Sequence, residues 1–203
     1  MRFTSVDAVA AHLQELPIVT QRRVIGIAGA PGAGKSTFAK RLTARIDWAL
    51  LPMDGFHLPQ ARLVELGRRE RMGAPDTFDL PALLQTLTDL RISGRTVFAP
   101  GFDRDGEEPA PDAIAIHPER DVVLEGNYLL YDEGGWHEVS PLLDLVFFIE
   151  LETSVRHTRL IARHEYFGKS AEAARAWVLG PDEANAELVA ATATRADHVV
   201  QLD

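Results

Sequence analysis

Short runs of apolar residues alternate with amphipathic stretches along most of this chain. Positions Val6, Val9, Ala10, Leu13 and Leu16 recur at helical spacing, with Ser5 placed to cap the helix and Pro17 to end it. A strand is predicted from about Arg23 to Ala28, a helix from Ser36 to about Arg45, and a short buried strand over Trp48 to Met53. Asp79 is placed to cap a helix over Leu80 to Leu90. Thr96 to Phe98 reads as a strand, a turn-rich loop follows over Pro100 to Gly106, and Ala113 to Ile116 reads as an edge strand. The runs Asp121 to Gly126 and Leu145 to Ile149 are apolar without alternation, as strands covered on both faces are. Helical periodicity returns over Thr153 to Tyr166, Ala171 to Leu179 and Asp182 to Ala191, before a last strand from His198 to Val200. Alternation of this kind predicts an α/β fold: a parallel sheet of about five strands flanked by helices in three layers. Its functional site is expected at the carboxyl ends of the strands.

Composition narrows the possibilities. With 203 residues and 46% apolar content, one domain spanning 1–203 is the simplest organisation. A formal net charge of -9 argues against broad binding to nucleic acid or anionic membranes, which needs a basic excess. The chain has no cysteine, which removes disulfides and thiolate metal sites. No segment has the length of a membrane span, and the first residues lack an apolar signal core, so a cytoplasmic protein acting on small molecules is expected.

The strongest local signal is Gly29-Ala30-Pro31-Gly32-Ala33-Gly34-Lys35-Ser36-Thr37, which follows directly on the first long strand. This is a complete GxxxxGK[ST] phosphate-binding loop and places the chain among P-loop NTPase folds. Its glycines let backbone N–H groups face a triphosphate, Lys35 neutralises the β and γ oxygens, and the Ser36 hydroxyl can complete a magnesium shell. Asp54, just past the second strand, emerges on the same sheet edge as a candidate base for an acceptor hydroxyl, or else as a turn-capping carboxylate. Glu125 closes another apolar strand ahead of Gly126. It is a candidate second metal anchor, or else a strand-end partner for a surface arginine. Arg156, Arg159 and Arg163 are three and four apart, so they share a helix face that an anion would neutralise. Gly168 breaks that helix near Lys169, as a lid over phosphates requires, and the lid is expected over roughly 153–180. The seven histidines show no metal-site spacing, although His57 stands where a substrate hydroxyl could be held.

Taken together, the phosphate loop, Met53 to His57, Gly67 to Asp79, Ala99 to Arg104, Leu124 to Tyr128 and Arg159 to Arg163 occur in an order that resembles the phosphoribulokinase, uridine kinase and bacterial pantothenate kinase superfamily. Within it the chain is similar to compact uridine-kinase-like or fructose-transport-associated kinases, from about Arg23 to the end. The resemblance implies that Asp54 is the general base. It also implies metal contact by Ser36 and Glu125, triphosphate contact by Arg159 and Arg163, and catalytic roles for Lys35 and Arg163. The chain departs from the pattern at Arg71-Met72, where pantothenate kinases place a phosphate-contacting lysine, at Phe102-Asp103-Arg104, and at Arg163-His164. These segments face the acceptor, so kinase activity transfers and substrate identity does not.

The expected activity is transfer of phosphate from ATP, with Mg2+, to a hydroxyl of a small metabolite, most simply a fructose-like sugar or a nucleoside. His57, Arg71, Phe102, Asp103, Arg104 and Tyr128 are candidate acceptor contacts beside Asp54. A pantothenate-type alcohol is the alternative acceptor, and a P-loop switch or nucleotide sensor is the alternative class. Neither a nucleic acid nor a membrane is an expected partner; a homodimer is one admissible assembly.

Overall fold

The computed structural model describes residues 1–17, 22–92 and 94–202. A two-residue strand, β1 (Arg2–Phe3), leads into helix α1 (Val6–Glu15), capped by the Ser5 hydroxyl accepting from Ala8 N. Strand β2 (Val24–Gly29) feeds the phosphate loop and helix α2 (Lys35–Ile46), and β3 (Ala49–Pro52) ends in a single turn over Met53–Phe56. Helix α3 (Gln60–Glu65) and two short turns cross to helix α4 (Leu80–Ile92), where Asp79 Oδ1 accepts from Ala82 N at 3.1 Å. After β4 (Val97–Asp103) and β5 (Glu108–Ile116) come β6 (Val122–Gly126) and β7 (Leu145–Glu150). Helices α5 (Thr153–Tyr166), α6 (Ala171–Trp177) and α7 (Glu183–Ala190) precede β8 (His198–Gln201).

Six strands form one parallel sheet in the order β1-β8-β7-β2-β6-β3. Side chains along the central strands alternate between two cores. Ile25, Ile27, Val123, Phe147 and Ile149 pack with α1 and α2, whereas Val24, Ala28, Leu124, Val146 and Phe148 pack on the face that includes α4. This is the three-layer α/β architecture anticipated from the sequence, with a sixth strand supplied by β1, which is too short to show a period.

Two local expectations need correction. Val97–Asp103 and Glu108–Ile116 do not join the parallel sheet; they pair with each other as an antiparallel hairpin. The stretch read as a loop after Pro100 is therefore partly strand, and the presumed edge strand is longer. Prolines at 100, 109 and 111 explain why a two-stranded ribbon suits these residues and a central strand does not. In addition, α6 and α7 are not separated by a break, because a π-turn over Val178–Asp182, containing Pro181, connects them directly. No helix among the described residues is long and apolar enough to cross a membrane.

Candidate active site

Every long strand of the parallel sheet points its carboxyl end the same way, so β2, β3 and β6 deliver their following residues to one edge. From β2 comes the phosphate loop. Gly32 adopts φ 79°, and a Cβ there would lie 2.6 Å from Leu160 Cγ of α5, so only glycine lets the loop pass beneath that helix. Gly34 is the N-cap of α2, and the loop is pinned by Ala33 N donating to Ala30 O at 3.1 Å. Lys35 is buried at 7% exposure and its Nζ donates to Ala30 O at 3.0 Å. Burial lowers its pKa to about 8; Glu125 and Asp54 pull the other way and Arg163 adds to the lowering.

The neighbouring strands supply the carboxylates. Pro52 of β3 sits in register with Glu125 of β6, so Asp54 and Glu125 leave the sheet side by side. Glu125 is 4% exposed and its Oε1 accepts from the Ser36 hydroxyl at 2.9 Å. Burial and the charge of Asp54 push its pKa upward, against the opposing pull of Lys35. Asp54 lies in the turn after β3, which docks tightly on the hairpin: a Cβ on Gly55 would meet Pro100 O at 2.2 Å. The hairpin in turn sends Arg104 to Asp54 Oδ2 at 3.0 Å.

His57 closes this turn. Its Nδ1 lies 2.8 Å from the Asp54 carbonyl, and a carbonyl can only accept, so Nδ1 carries the proton and Nε2 is left as an acceptor. Burial lowers the pKa of the ring, which favours the neutral form. The imidazole packs against Phe78 and Phe102, with centroids 4.0 and 5.0 Å away.

These groups line one cavity of about 500 Å3, together with Asn127, the lid residues Arg159, Arg163 and Lys169, and Asn185 of α7. The volume suits a triphosphate tail and a small acceptor. The guanidinium of Arg159 comes within 3.6 Å of the Cβ position of Gly34, directly over the loop. Arg156, on the same helix face in sequence, is instead buried and paired with Glu183, so only two of the three arginines reach the cavity.

Three candidate acceptor contacts lie outside it. Tyr128 is wholly buried among Phe78, Trp136 and Tyr131, and its hydroxyl donates to Gly73 O at 2.6 Å; it belongs to the core. Arg71 forms a two-pronged pair with Asp76, and Asp103 accepts from Asp105 N in the hairpin turn. Conversely, Glu107 and Asn185 line the cavity without any motif to announce them, Arg69 and Asn127 line it from within the quoted stretches Gly67 to Asp79 and Leu124 to Tyr128 without being singled out there, and Arg69 pairs with Glu107 at 2.5 Å. The charge alternation of Arg69, Glu107, Arg104 and Asp54 becomes visible only once the hairpin folds over the insertion.

A family model described as phosphoribulokinase / uridine kinase family matches residues 24–202. The chain belongs to that family. It is 35% identical over 175 residues to a protein of Schizosaccharomyces pombe described as a candidate uridine kinase, covering 79% of this chain and 74% of that one. It is 34% identical over 164 residues to a pantothenate kinase of Leifsonia xyli, covering 75% of this chain but only 48% of that enzyme. The crystal structure of a candidate fructose transport system kinase from Silicibacter superposes with a TM-score of 0.89 at 32% identity, covering 97% of this chain and 98% of the other. This member of the uridine kinase and phosphoribulokinase family is a P-loop kinase. Membership implies ATP and, in the usual case, Mg2+. The side chains fit both: a buried lysine and two arginines face the loop, and one hydroxyl with one buried carboxylate is the sparse donor set that Mg2+ takes when phosphates and water complete its shell.

Proposed function

We propose that this kinase transfers the γ-phosphoryl group of ATP to a hydroxyl of a small polyhydroxylated metabolite, a sugar or a nucleoside. The carrying observation is that Asp54 opens into the same cavity as Lys35 and Glu125, with Arg104 on its carboxylate. Asp54 takes the proton of the acceptor hydroxyl as the new O–P bond forms and the bond to the β-phosphate oxygen breaks, releasing ADP. Lys35, Arg159 and Arg163 spread the charge that develops on the transferred group and on ADP. Ser36 and Glu125 would hold Mg2+, which when bound neutralises the phosphate oxygens.

The acceptor side favours hydroxyl groups over a long apolar chain. His57 Nε2 is an acceptor, Arg69 and Arg104 are donors, and Asp54 and Glu107 alternate with them. The names carried by the Silicibacter and Schizosaccharomyces relatives point to the same two classes. A reaction consuming ATP and a free metabolite belongs to the cytoplasm. Acceptor-dependent ADP release, screened over sugars, nucleosides and pantothenate, tests the reading. Stimulation by a sugar or nucleoside is expected; stimulation by pantothenate alone, or ADP release indifferent to every acceptor, overturns it.

A further inference from the structure

His12 of α1 and His198 of β8 stand 186 residues apart in the chain, yet the fold brings their Nε2 atoms to 3.1 Å. The ring centroids are 4.9 Å apart with the planes at 76°, closer than a straight end-to-end bond permits, so the two ring axes meet at an angle. An apolar frame fixes them there. Phe3 lies 5.2 Å from the His12 ring and 5.5 Å from that of His198, and Phe147 lies 5.2 Å from His198. Both imidazoles are half-buried, on a helix and a strand, and so remain open to solutes.

The protons of the pair follow from its neighbour. The terminal ammonium of Met1 donates to His198 Nδ1 at 3.2 Å. An ammonium cannot accept, so Nδ1 is the bare nitrogen of that ring and its proton sits on Nε2, donating to His12 Nε2. One proton therefore joins two nitrogens that are both good metal ligands.

The separation suits an ion in place of that proton. At the zinc–nitrogen distance of about 2.0 Å, an ion between atoms 3.1 Å apart subtends an angle of about 100°, between the square-planar and tetrahedral values. We infer that His12 and His198 form a two-imidazole site for a divalent cation that prefers nitrogen ligands, represented by Zn2+, and that the bound ion staples the first helix to the last strand. Among the described residues no group of three histidine and carboxylate ligands is present, so water completes the shell. On binding, the Nε2 proton of His198 leaves to solvent. His198 Nδ1 draws a proton from Met1, whose neutral amine then accepts the new Nδ1–H bond, as ligating histidines require of their second nitrogen. Neither histidine lines the kinase cavity, and β7 separates β8 from the strand that carries the phosphate loop. Oxygen-seeking Mg2+ is left to the kinase site.

The test adds Zn2+ to the full chain in an excess of Mg2+, which occupies the oxygen ligands of the kinase site. The melting temperature of the wild type should climb with Zn2+ concentration, as for any ligand that binds only the folded state. His12→Gln and His198→Gln should each weaken Zn2+ binding at least about tenfold, read by calorimetric titration. A melting temperature indifferent to Zn2+, or a variant that binds as tightly as the wild type, overturns the inference. Tight binding kept by His12→Gln alone would put the ion on Met1 and His198, which overturns it equally.

Should either variant fold poorly, the wild type decides by itself. Cu2+ is then the probe, because the same nitrogens take it. Spin-echo modulation from the remote imidazole nitrogens of one bound Cu2+ should count two rings. A count of one or none overturns the site.

Discussion

Arg104, at the tip of the β4–β5 hairpin, holds the carboxylate of Asp54 at 3.0 Å, joining the small antiparallel ribbon to the edge of the parallel sheet. Both side chains are well exposed, so the pair contributes little to stability. Its consequence is chemical: the guanidinium orients the Asp54 carboxylate where an incoming hydroxyl must lose its proton.

Asp54→Asn should therefore lower kcat by about a hundredfold or more, the usual loss on removing a general base. The stabilisation of the protein by ATP and Mg2+ in a thermal melt should remain. An unchanged rate at saturating acceptor would remove Asp54 from this role.

The lid arginines divide in a way their even spacing conceals. Arg156→Ala removes the buried partner of Glu183, whose carboxylate keeps His157 at 2.7 Å, and should cost about 2 kcal/mol. Arg163→Ala should leave the denaturation midpoint nearly unchanged and cut kcat about a hundredfold or more by removing charge from the transferred group. Urea titrations and steady-state rates on the two variants check the contrast.

Lys35 sets a pH dependence of the ligand-free protein. Burial lowers its pKa to about 8 from 10.5, so between those values the unfolded chain binds the additional proton and stability rises with pH. Below about pH 8 the full penalty is present, on the order of 3 kcal/mol, until phosphates arrive to neutralise the charge. Urea denaturation from pH 7 to pH 10 should show this rise in the wild type and a flatter profile in Lys35→Met.

Glu125→Gln should raise the Mg2+ concentration for half-maximal activity about tenfold or more, because the hydroxyl of Ser36 loses its anionic neighbour and the metal loses a charged anchor. A magnesium titration at fixed ATP reads this directly. Equal magnesium curves for the two proteins would show that Glu125 does not serve the metal.

Much of the nucleotide half was legible in the chain because it depends on local order. A strand, a glycine loop and a helix follow one another within residues 24–46, and strand ends carry Asp54 and Glu125 to a common edge through topology alone. The acceptor half depends on chain segments far apart. Tyr128 follows Glu-Gly-Asn and invites reading as an acceptor contact, yet its ring is claimed by Phe78 and Trp136, an aromatic cluster with no sequence period. Arg71 is taken by Asp76, five residues on, a pairing available to any short turn. Asn185 escaped because it belongs to no motif and follows a π-turn that the sequence reads as a break between two helices.

The β4–β5 ribbon touches the catalytic turn at Gly55 and Asp54 but shares no sheet with it. Its residues can thus be exchanged or lengthened without shifting the register of any strand that carries the phosphate loop. Kinases built this way can acquire new acceptors by trading the exposed tip of the ribbon while its buried roots Val97, Ala99 and Ile116 stay in the core, and a transplant of residues 105–112 from a relative, with Arg104 kept, is the natural way to redirect this one.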